Sequence, residues 1–600
     1  MKINYKLLVA TVSLLFLITL SCKKSWLEVD PFASISQVTL TTKAGVDGLL
    51  IGAYSLLKGG GAVGGGYTTG WGSMIAPDDA RMGNGGTDDE DVFMFDPSSS
   101  MFNDKWSFLY AAVQRCNDVL KLLPHVKDAT SEEKLQIKAE AKFLRGVYYL
   151  YLAMLWRNVP WIDETISYSA GNYFVPNTVA IYPKIEADFQ FAADSLTDTK
   201  SEVGRANKWA AKSFLAKTYM FQKKFTEAKA VLDDVILNGE TSSGQKYALL
   251  SNYDDNFKHE TSNGSESVFT VQMSVNDGAM FSPPDDWIGP GANGNPMDQF
   301  NGPYGGPATC CYGWFQPTFD LVDAYQTDSV TGLPLLDTYQ DTPIPNDNGL
   351  SSTDPFTPYK GTLDSRLDWC VGRRGIPFLD WGVHPGKAWI VDQINGGPYS
   401  SVKNIAWQAN VASDRQGGGG ATNNPLNLIR FADVLLWAAE CEVEVGSLQK
   451  AEDYVNIVRA RAANPAGFVK TYIDPSNPLL GFTSTPAANY KVGLYTGQFA
   501  ANGKSYVRKA VRFERRLELA LEHHRYLDMR RYDGNDFDQA ARQNWVMARE
   551  AKSILNSATA YKQGVFVKGK NELFPIPLQQ IELSIQSSGG ASALVQNPGW

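Results

Sequence analysis

Seven aromatic side chains stand in stretches of Gly, Pro and Asn: Trp71, Trp287, Tyr304, Tyr312, Trp314, Trp381 and Trp389. An indole or phenol face stacks on the apolar C–H face of a sugar ring, while Asn, Asp and Arg bond its hydroxyls. The richest such loop runs from Phe281 to Phe315. A second, from about Gly59 to Pro97, carries Trp71 with Asp78, Asp79 and Arg81. The constellation predicted from these residues is a shallow groove in which a sugar polymer lies on Trp71, Trp287, Tyr304 and Trp314, with Asp78 and Arg81 reaching hydroxyls. Chain order does not show that the two loops meet. The fallback position for the groove is around Trp381 and Trp389, and the competing reading of each ring is that it pins its own loop.

Bond-breaking chemistry is hard to assemble from this chain. Glycoside hydrolysis needs two carboxyl groups, and Asp78-Asp79, Asp88-Asp89-Glu90-Asp91 and Asp285-Asp286 are candidates. Neighbouring acids in polar loops are more readily solvated or bound to calcium. The spacing Gly59-x-Gly61-x-x-Gly64 follows a helical pattern (Val46, Leu49, Leu50, Tyr54, Leu57) where a dinucleotide fingerprint needs a strand, so it reads as a loop. Glu522-His523-His524 is not a zinc helix, because H-E-x-x-H is absent and the chain has only 5 His. Glu514, Glu518 and Glu522, with Arg512, Arg515, Arg516, Arg530 and Arg531, read as a structural ion-pair network on one predicted helix. These residues point to binding, not catalysis, and away from a histidine-based metal site.

The first residues set the compartment. Lys2 and Lys6 precede an apolar run from Leu7 to Leu20, broken only by Thr11, Ser13 and Thr19, and Ser21-Cys22 closes it. This is the layout of a secretory signal, shorter than the ~20 residues that span a bilayer. A Cys after a small residue at the end of the run looks like a lipobox, with Thr19 where Leu is usual. The expectation is a signal peptide over 1–21 and a diacylglyceryl anchor on Cys22; the alternative is an ordinary cleaved signal with an incidental Cys. A net charge of -9 and a pI near 5.3 leave no basic field for phosphates, which argues against nucleic acid. Cys116, Cys310, Cys311, Cys370 and Cys441 include no C-x-x-C pair, and Cys116 and Cys441 fall in helical patterns as small buried hydrophobes.

The elements that must position the loops are helical. Trp106, Leu109, Tyr110, Val113, Asn117 and Leu120 recur at helical spacing up to Pro124. Thr130-Ser131-Glu132-Glu133 predicts a capping box opening a helix to about Arg157, and Pro183 suits a first helical turn. Two later segments share one spacing: Ala216 to Ala228, and Ala439 to Ala451, are each offset as the small residues of a tetratricopeptide hairpin. They lie far apart, so a Gly/Pro/Asn/Asp-rich insertion, roughly 240–425, interrupts a helical scaffold of about 40–240 and 425–600.

Several stretches, in order, resemble the SusD/RagB family of outer-membrane nutrient-binding lipoproteins: Ser21-Cys22-Lys23-Lys24-Ser25-Trp26-Leu27-Glu28-Val29-Asp30-Pro31; Ala139-Glu140-Ala141-Lys142-Phe143-Leu144-Arg145 with Asn158-Val159-Pro160; Arg366-Leu367-Asp368-Trp369; Arg430-Phe431-Ala432-Asp433-Val434-Leu435-Leu436; Glu514-Arg515-Arg516-Leu517-Glu518-Leu519-Ala520; Phe574-Pro575-Ile576-Pro577; and Gln596-Asn597-Pro598-Gly599-Trp600. Lys23-Lys24 stand where an acidic surface-export signal is often found. The resemblance implies a mainly α fold, a scaffold of about four tetratricopeptide-like hairpins with an irregular insertion. It implies a cell-surface lipoprotein that captures glycan for a TonB-dependent transporter, with no cofactor required and calcium sometimes bound. Some relatives serve peptide uptake, which is the alternative reading; a glycan-degrading enzyme is the third. The family's ligand residues vary with the ligand, so the site residues above rest on loop and aromatic logic alone.

Overall fold

The computed structural model describes residues 37–600 apart from 59–77, 82–88, 168, 278–292, 296–312, 314, 404, 416–420, 535 and 557–558. Its helical array opens with α1 (Lys43–Ser55) and α2 (Ser100–Leu122), followed by the long α3 (Ser131–Trp156). The Thr130–Glu133 capping box forms in both directions, and α3 ends at Arg157, whose φ of 68° cannot continue a helix ahead of Pro160. Almost every side chain of α3 from Ala139 onward is buried, as expected of a helix surrounded by others. Helix α4 (Tyr182–Ser195) carries Pro183 in its first turn. It approaches α3 at Gly146, where an added Cβ would sit 2.9 Å from the Phe189 ring.

The α5 (Lys208–Phe221) and α6 (Phe225–Asn238) hairpin closes over Ala216, Ala228 and Leu232, all fully buried. The short α7 (Phe319–Ala324) lies in the insertion. Helices α8 (Phe431–Val445) and α9 (Leu448–Ala463) repeat the α5–α6 arrangement with Ala439, Ala451 and Val455 fully buried. Helix α6 packs directly on α8, so four hairpins form one array despite the insertion between them. The insertion is pinched at its neck. Strand β2 (Ser267–Val271) runs antiparallel to β4 (Leu426–Arg430), from Ser267 opposite Arg430 to Val271 opposite Leu426. Cys116 and Cys441 are buried and reduced, as their helical settings predict. Among the described residues no helix is long and apolar enough to cross a membrane.

The charged set expected on one helix occupies two. Helix α10 (Gln498–Glu518) carries Glu514 and Glu518, and α11 (Arg525–Tyr532) carries Arg530 and Arg531. Glu522 lies in the turn between them, where Leu521 and His523 have φ of 62° and 66°. The network itself is present and reaches into the insertion. Arg366 meets Glu514 at 2.7 Å and Glu518 at 2.9 Å, Arg430 meets Glu266 at 2.8 Å, and Arg461 meets Glu266 at 2.6 Å and also pairs with Glu518. Burial alone would raise the Glu518 carboxyl; Arg461, Arg430 and Arg366 outweigh it and hold the group far below the usual range. This lattice ties Arg366 of the insertion and the β2–β4 neck to α9 and α10.

Candidate binding site

A strand pair joins the two loop segments. Strand β1 (Ala80–Arg81), within the Gly59–Pro97 loop, pairs antiparallel with β3 (Gln316–Pro317), directly after the Phe281–Phe315 loop, placing Ala80 opposite Pro317 and Arg81 opposite Gln316. Thr318 extends the clasp. Its backbone N–H donates to Asp79 O at 3.1 Å and its hydroxyl to Asp78 O at 3.0 Å. Two segments more than 200 residues apart in the chain therefore meet at this clasp.

Asp78 and Arg81 are buried at that clasp, which corrects their reading as ligand residues. Both side chains are fully buried. Asp78 accepts from Arg525 at 2.6 Å and from Arg542 at 3.3 Å. Arg81 donates through Nε to Gly396 O at 2.8 Å, pairs with Glu550, and lies 5.0 Å from the Phe319 ring centre. Arg516 donates to Asp320 at 2.8 Å and to Asp79 at 3.3 Å. Arg549, on α12 (Gln539–Ser553), holds Asp320 at 2.8 Å and pairs with Asp323. The physical reason for the correction is the strand pairing, which draws residues 78–81 below the surface, where charged groups persist only when paired. Burial pushes the Asp79 carboxyl up to about 6 against the pull of Arg516, and the Asp323 carboxyl up to about 7. The carboxylate pair Asp78-Asp79 is thus consumed in structure, facing arginines and not a cleft.

Trp71, Trp287, Tyr304 and Trp314 lie outside the described residues, as do Tyr312, Cys310, Cys311, Asp88, Asp285, Asp286, Gly59 to Gly64 and the N-terminal segment with Cys22. The fallback pair, Trp381 and Trp389, is described. Both are half-buried against a small apolar cluster of Phe378, Leu379, Val402 and Ile405. The Trp381 indole donates to Ala406 O at 2.8 Å, and Trp389 meets Phe378 edge-on at 5.8 Å. Gly313, near the end of the Phe281–Phe315 loop, abuts Val391, two residues along the chain from Trp389.

Two further tryptophans, Trp369 and Trp407, pack on the same cluster. In the sequence Trp369 stands out only as part of a family motif, and Trp407 does not stand out at all. No local pattern marks either, because the cleft they line is assembled from distant segments. Among the described residues, no group of three or more His, Cys, Asp or Glu is placed to hold a metal ion.

An array of four helical hairpins bearing a pinched, loop-rich insertion is the architecture of SusD-like proteins. A family model described as "SusD family" matches residues 265–600, and one described as "Starch-binding associating with outer membrane" matches residues 25–220. The chain belongs to the SusD family. It is 25% identical over 464 residues to SusD-like protein P25 of Formosa agariphila, covering 74% of this chain and 79% of that one. It is 28% identical over 186 residues to a SusD-like protein of Bacteroides ovatus, a match that takes in 28% of this chain and 32% of the relative's length. The solved structure of a laminarin-binding SusD-like protein superposes with a TM-score of 0.62 at 23% identity, over 93% of this chain and 100% of that one.

Proposed function

We propose that this protein is a glycan-binding lipoprotein of the outer cell surface that captures oligo- or polysaccharide and passes it to a TonB-dependent outer-membrane transporter. The observation that carries the reading is the β1–β3 clasp, which joins a strand within the Gly59–Pro97 segment to one directly after the Phe281–Phe315 segment. Family membership supports it, as does the laminarin binding of one structural neighbour. The site binds by stacking and hydrogen bonding, with no cofactor and no bond-breaking step. Each stacked aromatic adds about 0.5–1.5 kcal/mol beyond area burial. A millimolar affinity already needs about 4 kcal/mol, so several rings must act together.

The test is a titration of starch, laminarin, xylan and galacturonan against wild type and against Ala variants of Trp71, Trp287, Tyr304 and Trp314. Wild type is expected to bind at least one polysaccharide and the variants to lose affinity. Peptide binding without glycan binding moves the protein to the alternative substrate class, and release of reducing ends makes it an enzyme. The anchor is tested separately: Cys22→Ala should move the protein from the membrane to the soluble fraction, and a membrane-bound variant refutes the lipid attachment.

A further inference from the structure

A cleft of about 360 Å³ opens where the insertion meets a hairpin inserted between α9 and α10, formed by β5 (Lys470–Tyr472) and β6 (Phe482–Pro486). Its size falls at the lower end of the ~300–1,000 Å³ typical of small-molecule sites. Trp369 and Trp407 form adjoining walls, with ring centres 6.5 Å apart and planes inclined at 40°. Phe482 meets Trp407 edge-on at 6.2 Å, and Phe468 continues the aromatic lining.

The walls are held firmly. The Trp369 indole donates to Gly467 O at 2.8 Å, and its neighbour Asp368 accepts from Arg373 at 2.6 and 2.9 Å and from the Tyr490 hydroxyl at 2.5 Å. Phe482 stacks on Tyr472 with centres 5.1 Å apart. Lys258 lies 4.7 Å from the Trp407 ring centre and meets Asp254 at 2.8 Å and Asp255 at 2.9 Å. Preorganised aromatic faces lose little entropy on binding.

The chemistry of the lining selects its ligand. The aromatic faces alternate with hydrogen-bonding side chains, Asn252, Lys258, Lys470 and Thr483. The acids are already paired, Asp254 and Asp255 with Lys258 and Asp368 with Arg373, so no strong field of one sign favours an ionic ligand. Flat apolar faces edged by neutralised polar groups match an uncharged, polyhydroxylated ring. The apolar cluster of Phe378, Leu379, Val402 and Ile405 also connects the cleft to Trp381 and Trp389.

We propose that the Trp369–Trp407 cleft is a second carbohydrate-binding site, taking one or two neutral sugar units of a longer glycan strand. The proposal rests on the glycan reading above. Two weak sites on one strand act at high effective concentration, which raises affinity for a polymer more than for a short oligosaccharide.

The experiment uses the full-length protein labelled with 5-fluorotryptophan, its ¹⁹F signals assigned through Trp369→Phe and Trp407→Phe. Laminarihexaose and maltohexaose are titrated, first into wild type and then into a variant with Trp71, Trp287, Tyr304 and Trp314 replaced by Ala. The signals of Trp369 and Trp407 are expected to shift in both, and Trp407→Ala should weaken laminarin or starch binding about tenfold or more in a protein whose circular dichroism is unchanged. Wild-type polysaccharide binding with both signals unmoved overturns the second site and leaves the glycan reading standing. No binding of any polysaccharide by wild type overturns both.

Discussion

At the α5–α6 seam the packing residues are Ala216, Ala228 and Leu232, fully buried and uncharged. At the neck of the insertion they are Glu266, Arg366, Arg430, Arg461 and Glu518, also buried and all charged. The first contact is non-directional and depends on volume. The second depends on protonation and on every partner being present, since a buried ion without its counter-charge is costly. The array therefore supplies bulk stability, while the ion lattice ties the neck of the insertion to the array. A neck that must tie an insertion to the array gains from directional contacts; a repeat that only has to stack does not need them.

Acid should expose this difference most strongly. Glu518, Glu522 and Asp528 titrate lower in the fold than in the unfolded chain, with Glu522 moved from 4.5 to about 2 because Arg430 and Lys403 outweigh its burial. As pH falls below the ordinary values the unfolded chain takes up protons first, so this stability is present above about pH 4.5 and lost toward about pH 2. Asp323 works in the opposite sense. Its carboxyl, pushed up to about 7 by burial, is protonated in the fold while the unfolded chain is ionised, so it removes stability as pH rises from 3.8 to about 7. Urea midpoints measured from about pH 2 to about pH 8 should fall steeply on the acid side and gently on the neutral side, and Asp323→Asn should flatten the gentle limb. A flat acid limb would erase the contrast between the two regions.

Glu518→Ala leaves Arg366, Arg430 and Arg461 short of a counter-charge and should cost about 3–5 kcal/mol in equilibrium unfolding. Ala216→Leu or Ala228→Leu overpacks the seam and should cost about 1–3 kcal/mol, read as a lower Tm with no change in its pH dependence. An unchanged Tm in both would mean that the hairpin is not close-packed there. The smallest effect is expected at the start of α3. Thr130→Ala removes one half of the capping box and should cost about 1 kcal/mol, with glycan affinity untouched.

The helical half was legible because its signals are local. Thr130 and Glu133 are three residues apart, and the Ala216–Ala228 offset is that of a single hairpin. The loops were legible as loops from Gly, Pro and Asn, but their depth was not. Asp78 and Arg81 sit in a stretch whose composition reads as exposed, and their burial follows from β3 and from Arg525, which is 447 positions away from Asp78. Glu522 reads as helical because its spacing from Glu514 and Glu518 continues the helical period. The positive φ of Leu521 that ends this continuity is imposed by packing and carries no glycine to announce it.

By itself the sequence determined that this chain builds helical hairpins, which small residues meet at the seams of two of them, and that a loop-rich segment interrupts them. Those features arise from interactions within a few residues, whose free energy is set by residue type and spacing alone. Only the tertiary structure decided that α6 meets α8, that the β1–β3 clasp joins the two loop segments, and that Trp369 and Trp407 wall a cleft with Phe468 and Phe482. Those contacts join segments separated by tens to hundreds of residues. They exist because the whole core closes at once, and no local rule encodes which distant surfaces it brings together.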